Sequence, residues 1–503
     1  MSNIELPEHP NLLFIMTDQE RYTQHFPPGW EENNLPNMQR LKRYGLSFTN
    51  AFTCASMCSP SRAAIFTGRH PSQTGVTKTF GVGDRFDPNR YDPTDIELNP
   101  EIPNLAKMLH NSKSYGKIHY RGKWHMSKGP DGVQQILPQQ IDLYGFAGWK
   151  GPDGGQDGRV RNIGGGFVDN DTGYTQKAIK FINESANDDK PWCLVFSLIN
   201  PHDIWTYPRY FNETGYYDDM LNGDIGLPET ISEELKNNGK PSAQWQVKEY
   251  LDKKLGKLSG IERYKYLNFY GNLMIESDKK IGLVLDALEK NGLLESTIIV
   301  RTADHGEMGL AHGGLTQKMF NVYEETIHIP LIISNPVLFP PDPGCPDGRT
   351  TEQLASTLDI LPTLASLLNV EPPEGLRGVD LSPIIQNPDS REDLRTEVLF
   401  TFDDFRLEGK KPSAVAAANR IRCVRTKDWK YARYFHGDSS YKEEYEMYDL
   451  TNDNNEVDNV AWPGSPRYEE VREEREKLKL LLADLEEKEL PRKIILEPDP
   501  KEG

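Results

Sequence analysis

Cysteine is scarce in this chain: five occur in 503 residues, Cys54, Cys58, Cys193, Cys345 and Cys423, odd in number and scattered. That pattern excludes a disulfide framework and fits a reducing compartment. No apolar run approaches the roughly 20 residues of a membrane span, and the opening MSNIELPEHP has neither the basic start nor the apolar stretch of a signal peptide. A cytoplasmic protein with no membrane partner is therefore expected. Positive charge is in deficit, 58 Lys and Arg against 76 Asp and Glu, for a net charge of −18. Nucleic acid is disfavoured as a partner, and any anion site must be local. Internal repeats and low-complexity tracts are absent. Length is what the chain has: 503 residues exceed what one core usually serves, so a large domain and a smaller one are expected.

Several short apolar runs end abruptly in chemically capable residues and alternate with helix-like stretches, the pattern of an α/β layered domain. NLLFIM runs into Thr17-Asp18-Gln19, YGKIHY into Arg121-Gly122-Lys123-Trp124-His125, CLVFSLI into Asn200-Pro201-His202-Asp203, and STIIVRT into Ala303-Asp304-His305-Gly306. Ligands of open α/β sheets bind beyond the carboxyl ends of the strands, so these four endings are expected to converge on one site. A helix over Tyr264–Asn291, with Leu267, Met274, Ile281, Leu285 and Leu288 on one stripe, should cross over before STIIV. A composition change near Pro383–Arg395 suggests a boundary, giving a catalytic domain at 1–390 and a C-terminal α+β subdomain at 391–503. In the latter, EVLFTF, RIRCVRT, WKYARYF and EYEMYDL read as a small antiparallel sheet with a turn at Lys427-Asp428. A last helix over Tyr468–Leu490 should pack on that sheet through Val471, Leu478, Leu482 and Leu485.

Asp18 and Asp304 offer two anionic oxygen donors with Gln19 and His305 as neutral donors beside them, a set suited to a divalent cation. In CSPSRAAIFTGR, Pro60 suits a first helical turn and Ser59 a cap, which would leave Cys58 just outside a helix N-terminus, where backbone N–H groups favour an anion. Arg62 adds a fixed positive charge with planar donors. Cys58 is then either a low-pKa thiolate or a small buried hydrophobe.

Cys58-Ser59-Pro60-Ser61-Arg62, followed by Phe66-Thr67-Gly68-Arg69, resembles the signature of the type I, formylglycine-dependent sulfatases of the alkaline phosphatase superfamily, whose cysteine is oxidised after translation. TDQ, GKWH, NPHD and ADHGEMGLAHGG with Lys318 beyond it stand in the family's order, and Met447–Asn459 is similar to the segment that commonly closes its C-terminal domain. The resemblance covers most of the chain. It implies an alkaline phosphatase-like fold, with a mixed, mostly parallel sheet between helices and a smaller antiparallel domain. By position, Asp18, Gln19, Asp304 and His305 would hold one divalent metal together with an oxygen of modified Cys58. Arg62 would orient the formylglycine hydrate, and Lys123, His125, His202 and Lys318 would surround the sulfate.

Gln19 and His305 depart from the commonest pattern, Asp and Asn, and choline sulfatases and phosphonate monoester hydrolases look similar at both. Gln19 makes the site less negative by one charge; calcium is the first expectation, with manganese or magnesium behind it. The implied reaction is hydrolysis of a small aryl, alkyl or sugar sulfate ester, after a formylglycine-generating enzyme has acted on Cys58. A phosphonate monoester or phosphodiester hydrolase with the same machinery competes, as does a noncatalytic anion-binding protein with unmodified Cys58. Trp205, Tyr207, Tyr216 and Trp245 either line the alcohol pocket or pack. His119 and His312 read as structural, and the oligomeric state is open.

Overall fold

The structure is a computed structural model. It describes residues 5–81, 91–133, 135–153, 170–208, 220–388, 390, 392–404, 415–437 and 440–490, so Tyr216 lies outside the described residues. The larger sheet is built from β1 (Asn11–Asp18), β2 (Gly45–Phe52), β3 (Lys117–Gly122), β4 (Trp192–Pro201), β5 (Thr297–Ala303), β6 (Leu331–Ser334) and β7 (Arg349–Ser356). Their order is β3-β4-β1-β5-β6-β2-β7, and only β6 runs against its neighbours.

The central strands are continuous apolar runs because both their faces are covered. Leu12, Phe14 and Met16 of β1 pack with Val195, Ile298 and Val300 into one core. Leu13 and Ile15 point the other way, to Phe196, Ile299 and the crossover helix Ile261–Lys290. The five stripe residues of that helix all lie in this second core.

The smaller sheet, β8 (Glu397–Phe402), β9 (Arg420–Thr426), β10 (Trp429–Phe435) and β11 (Glu444–Asp449), is antiparallel in the order β11-β10-β9-β8. Helix Arg472–Glu489 covers one face, with Leu478, Leu482 and Leu485 packed on Leu399, Val424, Tyr431 and Met447. The other face docks Phe400, Phe402, Ile421 and Tyr434 against Phe52, Phe320, Val322 and Tyr323 of the larger unit. Among the described residues no helix is long and apolar enough to cross a membrane.

A buried charge ties the two units together. Lys430 on β10 is fully buried, pairs with Glu324 at 2.8 Å and with Glu456, and donates to Val322 O. Removing one partner of a buried ion pair leaves the others uncompensated, at a cost of about 3–5 kcal/mol. Lys430→Ala is therefore expected to lower stability in urea by about that amount, while Lys427→Ala, whose pair with Glu352 is exposed, should change it by less than about 1 kcal/mol.

Candidate active site

β3, β4, β1 and β5 are adjacent and parallel, so the four expected strand endings come out side by side at one sheet edge. Register completes the arrangement: Thr17 faces Ala303, and Asp18 faces Pro201. Asp18, Asp304 and the segment opening with His202 thus leave the sheet together. Gly122, at the end of β3, has φ +113°, and a Cβ there would lie 1.7 Å from Ser197 O. Only glycine lets the chain turn there and deliver Lys123 inward.

Cys58 enters from the loop after β2. Its helix spans Cys58–Thr67 with Met57 as N-cap, two residues earlier than the sequence suggests, so Cys58 is the first residue of the helix rather than just outside it. Ser59 is not the cap, because its hydroxyl accepts from Phe80 N–H at 3.2 Å while its own N–H donates to Thr79 Oγ1. Pro60 has no N–H and the Ser59 N–H is taken by Thr79 Oγ1, so the helix end offers Cys58 few free backbone donors.

The Cys58 Sγ stands where the oxygens of a modified residue would be. It lies 3.2 Å from His305 Nε2, 3.5 Å from Asp18 Oδ1 and 3.9 Å from Lys123 Nζ. Burial, and then the Asp18 charge, push the thiol up to about 11.

Arg62 is fully buried and spends its donors on the frame. Nε donates to Asp304 at 2.9 Å and Nη2 to Asp18 at 3.0 Å, while Nη1 donates to Lys123 O and Ser197 Oγ. Among the described residues none of its hydrogen bonds reaches Cys58. Lys123 Nζ pairs with Asp18 at 2.6 Å. Burial works to raise the Asp18 pKa, yet Lys123, His202 and Arg62 hold it well below the usual range. Burial and the facing Asp18 charge push Asp304 up.

A divalent cation would relieve that repulsion, and the donors fit one. Ligand-type atoms of Asp18, Cys58, Asp304 and His305 lie within 4.8 Å of one another, all buried. His305 donates Nδ1–H to Gly306 O at 3.1 Å, which leaves the Nε2 lone pair facing the carboxylates. Burial, reinforced by Lys318, keeps this imidazole neutral. Gln19, at φ +67°, turns its Oε1 toward Lys318 Nζ, which donates to it.

His202 is buried on the same side, its pKa lowered by burial and by Lys123 and raised in part by Asp18. His125, at φ +58°, is placed by its neighbours: Trp124 N–H and His125 N–H both donate to Asp153, at 2.8 and 3.0 Å, and its ring meets Phe80 edge-on at 5.8 Å. Every site residue expected from the sequence is thus at this edge of the sheet.

A family model described as Sulfatase matches residues 10–370, and one described as N-sulphoglucosamine sulphohydrolase, C-terminal, matches residues 312–488. The chain belongs to the sulfatase family. This sulfatase is 27% identical over 502 residues to an ulvan-active sulfatase of Formosa agariphila, covering 95% of this chain and 82% of the relative. It is 26% identical over 531 residues to an N-acetylglucosamine-6-O-sulfatase of Bacteroides thetaiotaomicron, covering 95% and 86%. Its fold is shared with the solved structure of a 2-O GAG sulfatase, with a TM-score of 0.72, 22% identity and coverage of 96% and 93%.

Three groups of this sulfatase's site carry no sequence signal of their own. Ser197 lies inside β4 and serves Arg62. Asp153 is far along the chain from the loop it holds. Glu307 looks like one more charge in ADHGEMG, yet it is fully buried behind Gln19. Of the aromatic candidates, Tyr207 is buried against Tyr266 and Phe269, and Trp245 carries Lys236 over its ring, so both pack. Trp205 stands near the site, its ring 6.4 Å from that of His202. His312 stacks on Tyr323 and bonds Glu233, and His119 packs on Phe181, both structural contacts.

Proposed function

We propose that this sulfatase hydrolyses the sulfate ester of a sulfated saccharide, with residue 58 as the nucleophile after conversion to formylglycine by a formylglycine-generating enzyme. Sulfate ester hydrolysis is the activity of its family. The saccharide is supported by the two relatives named for ulvan and N-acetylglucosamine 6-sulfate. The observation that carries the site assignment is Cys58 Sγ inside a buried ring of two carboxylates and one neutral imidazole, with Lys123 beside it.

As a formylglycine hydrate, residue 58 offers two hydroxyls on one carbon, one to displace the alcohol from sulfur and one whose deprotonation expels sulfate. A divalent cation held by Asp18, Gln19, Asp304 and His305, calcium before manganese or magnesium, supplies the charge that favours an oxygen nucleophile at neutral pH. Arg62 fixes the two carboxylates in place. Asp18, Asp304 and Glu307 are balanced by Arg62, Lys123 and Lys318, so a bound cation makes the site net positive for an anionic ester. Lys123 and Lys318 then face the non-bridging sulfate oxygens. His202 gives its proton to the leaving oxygen. Unliganded, it is held neutral chiefly by burial and by Lys123, and the charge of a bound ester acts the other way. His125, set by Asp153, takes the proton from the second hydroxyl.

Leaving-group dependence tests this division. His202→Ala should slow alkyl and sugar sulfates by about 10²–10⁴-fold and activated aryl sulfates far less, since an acidic phenol needs little proton assistance. His125→Ala should keep a first burst of alcohol while sulfate stays on the enzyme. Equal slowing of aryl and alkyl esters by His202→Ala, or no burst from His125→Ala, would remove the respective assignment. Phosphonate monoesters and phosphodiesters belong in the same panel; a higher kcat/KM on them would give the site to that chemistry instead.

A further inference from the structure

The charge that Gln19 removes from the metal ring is not lost. Gln19 Nε2 donates to Glu307 Oε2 at 2.5 Å and lies 3.3 Å from Gln317 Oε1. With the amide nitrogen directed to Glu307 and Gln317, Oε1 is the atom left to face Lys318.

Glu307 is built for that duty. Besides Gln19 it accepts from Tyr266 O–H at 2.6 Å, Gln317 N–H at 2.8 Å and Gly309 N–H at 3.2 Å, all at its other oxygen. Four donors and no acceptor around one carboxyl is the environment of an ionised carboxylate. One buried anion therefore ties together the metal-side amide, the long helix through Tyr266, and both ends of the 309–317 loop that leads to Lys318.

We propose that Gln19 and Glu307 act as one relayed anionic ligand. Glu307 fixes the amide so that its oxygen faces the cation, and polarises that amide so that the oxygen is a stronger donor to a hard ion. Unclamped, the amide is free to turn its NH2 toward the cation, which repels it. Glu307 is thus a positioning residue, acting through Gln19 and touching neither cation nor ester. The inference rests on the metal ring proposed above, and it revises the charge reading of the sequence: the site keeps the anion of the commoner Asp, displaced by one amide group.

Calorimetric titration of Ca2+ and of Mn2+ into chelator-treated full-length protein tests it without using turnover. Glu307→Gln keeps the size of the side chain and should weaken the Kd by about 10–100-fold, the usual loss for a group supporting a metal ligand. The exchange variant, Gln19→Glu with Glu307→Gln, restores one amide and one carboxylate in contact and should return the Kd to within about threefold of wild type. A purely structural anchor would lower the melting temperature in Glu307→Gln, leave the Kd alone, and gain nothing from the exchange; that pattern overturns the proposal. So does an exchange variant no tighter than the single one. If Glu307→Gln does not fold, the exchange variant alone decides, by its Kd against wild type. Asp304→Asn separates the two levels: unchanged metal binding there removes the ring itself, whereas lost binding there with an unchanged Kd in Glu307→Gln removes only the relay.

Discussion

Cys58→Ser, made in a host whose maturation enzyme oxidises only cysteine, is expected to lose about 10⁴-fold or more in steady-state turnover, the scale on which a removed nucleophile is felt. The physical reason lies in what a serine lacks. Its single hydroxyl can take the sulfuryl group, but the resulting ester has no second hydroxyl on the same carbon through which to collapse. At most one equivalent of alcohol per chain should appear, followed by silence. The substitution exchanges one small buried atom for another in a pocket where Sγ touches His305 and Asp18, so folding should be intact by circular dichroism. Sustained multiple turnover by this variant would show that residue 58 does not need two oxygens.

The second large effect is expected at Asp304. Its carboxylate meets Arg62 Nε, Gln19 N–H and His305 N–H, and it stands 3.6 Å from His305 Nε2. Asp304→Asn keeps the shape and removes the charge, so Asp18 becomes the ring's only carboxylate. Leaving a buried charged partner uncompensated costs about 3–5 kcal/mol, which for the cation is roughly 10²–10⁴-fold in Kd. Metal content after gel filtration should fall from one ion per chain to nearly none. One ion per chain in that variant, measured by plasma mass spectrometry, would place the metal elsewhere.

How much of this was legible in the sequence depends on how local each cause is. Strand endings could be read because a strand buried on both faces is an apolar run that gives way to polar residues near where the sheet stops, at Asp18 and Ala303. Their convergence followed from the rule for parallel sheets. The insertion of antiparallel β6 between β5 and β2 could not be read, since pairing across such sequence distances leaves no periodic trace. The small sheet, its turn and its covering helix were readable because all are consecutive along the chain. Ser59 looked like a cap by residue type alone, and a remote donor, Phe80 N–H, decided otherwise. Arg62 was expected to orient the formylglycine hydrate, and only the fold shows that its donors go to the two carboxylates, Lys123 O and Ser197 Oγ. Gln19 was read as a lost charge because Glu307 sits behind it through a contact spanning the chain. Aromatic side chains are the hardest case, as packing and recognition use the same residues; Tyr207 and Trp245 went to packing.

The central claim is that an oxidised residue 58 is the nucleophile of this sulfatase, and the mass of the peptide spanning Cys58, taken from active protein, tests it most directly. The expected result is a peptide lighter than the encoded one by the difference between a CH2SH and a CHO group. Its fraction should rise and fall with specific activity when the maturation enzyme is co-expressed or withheld. A protein that turns over sulfate esters while every Cys58 peptide keeps the mass of cysteine would contradict the claim.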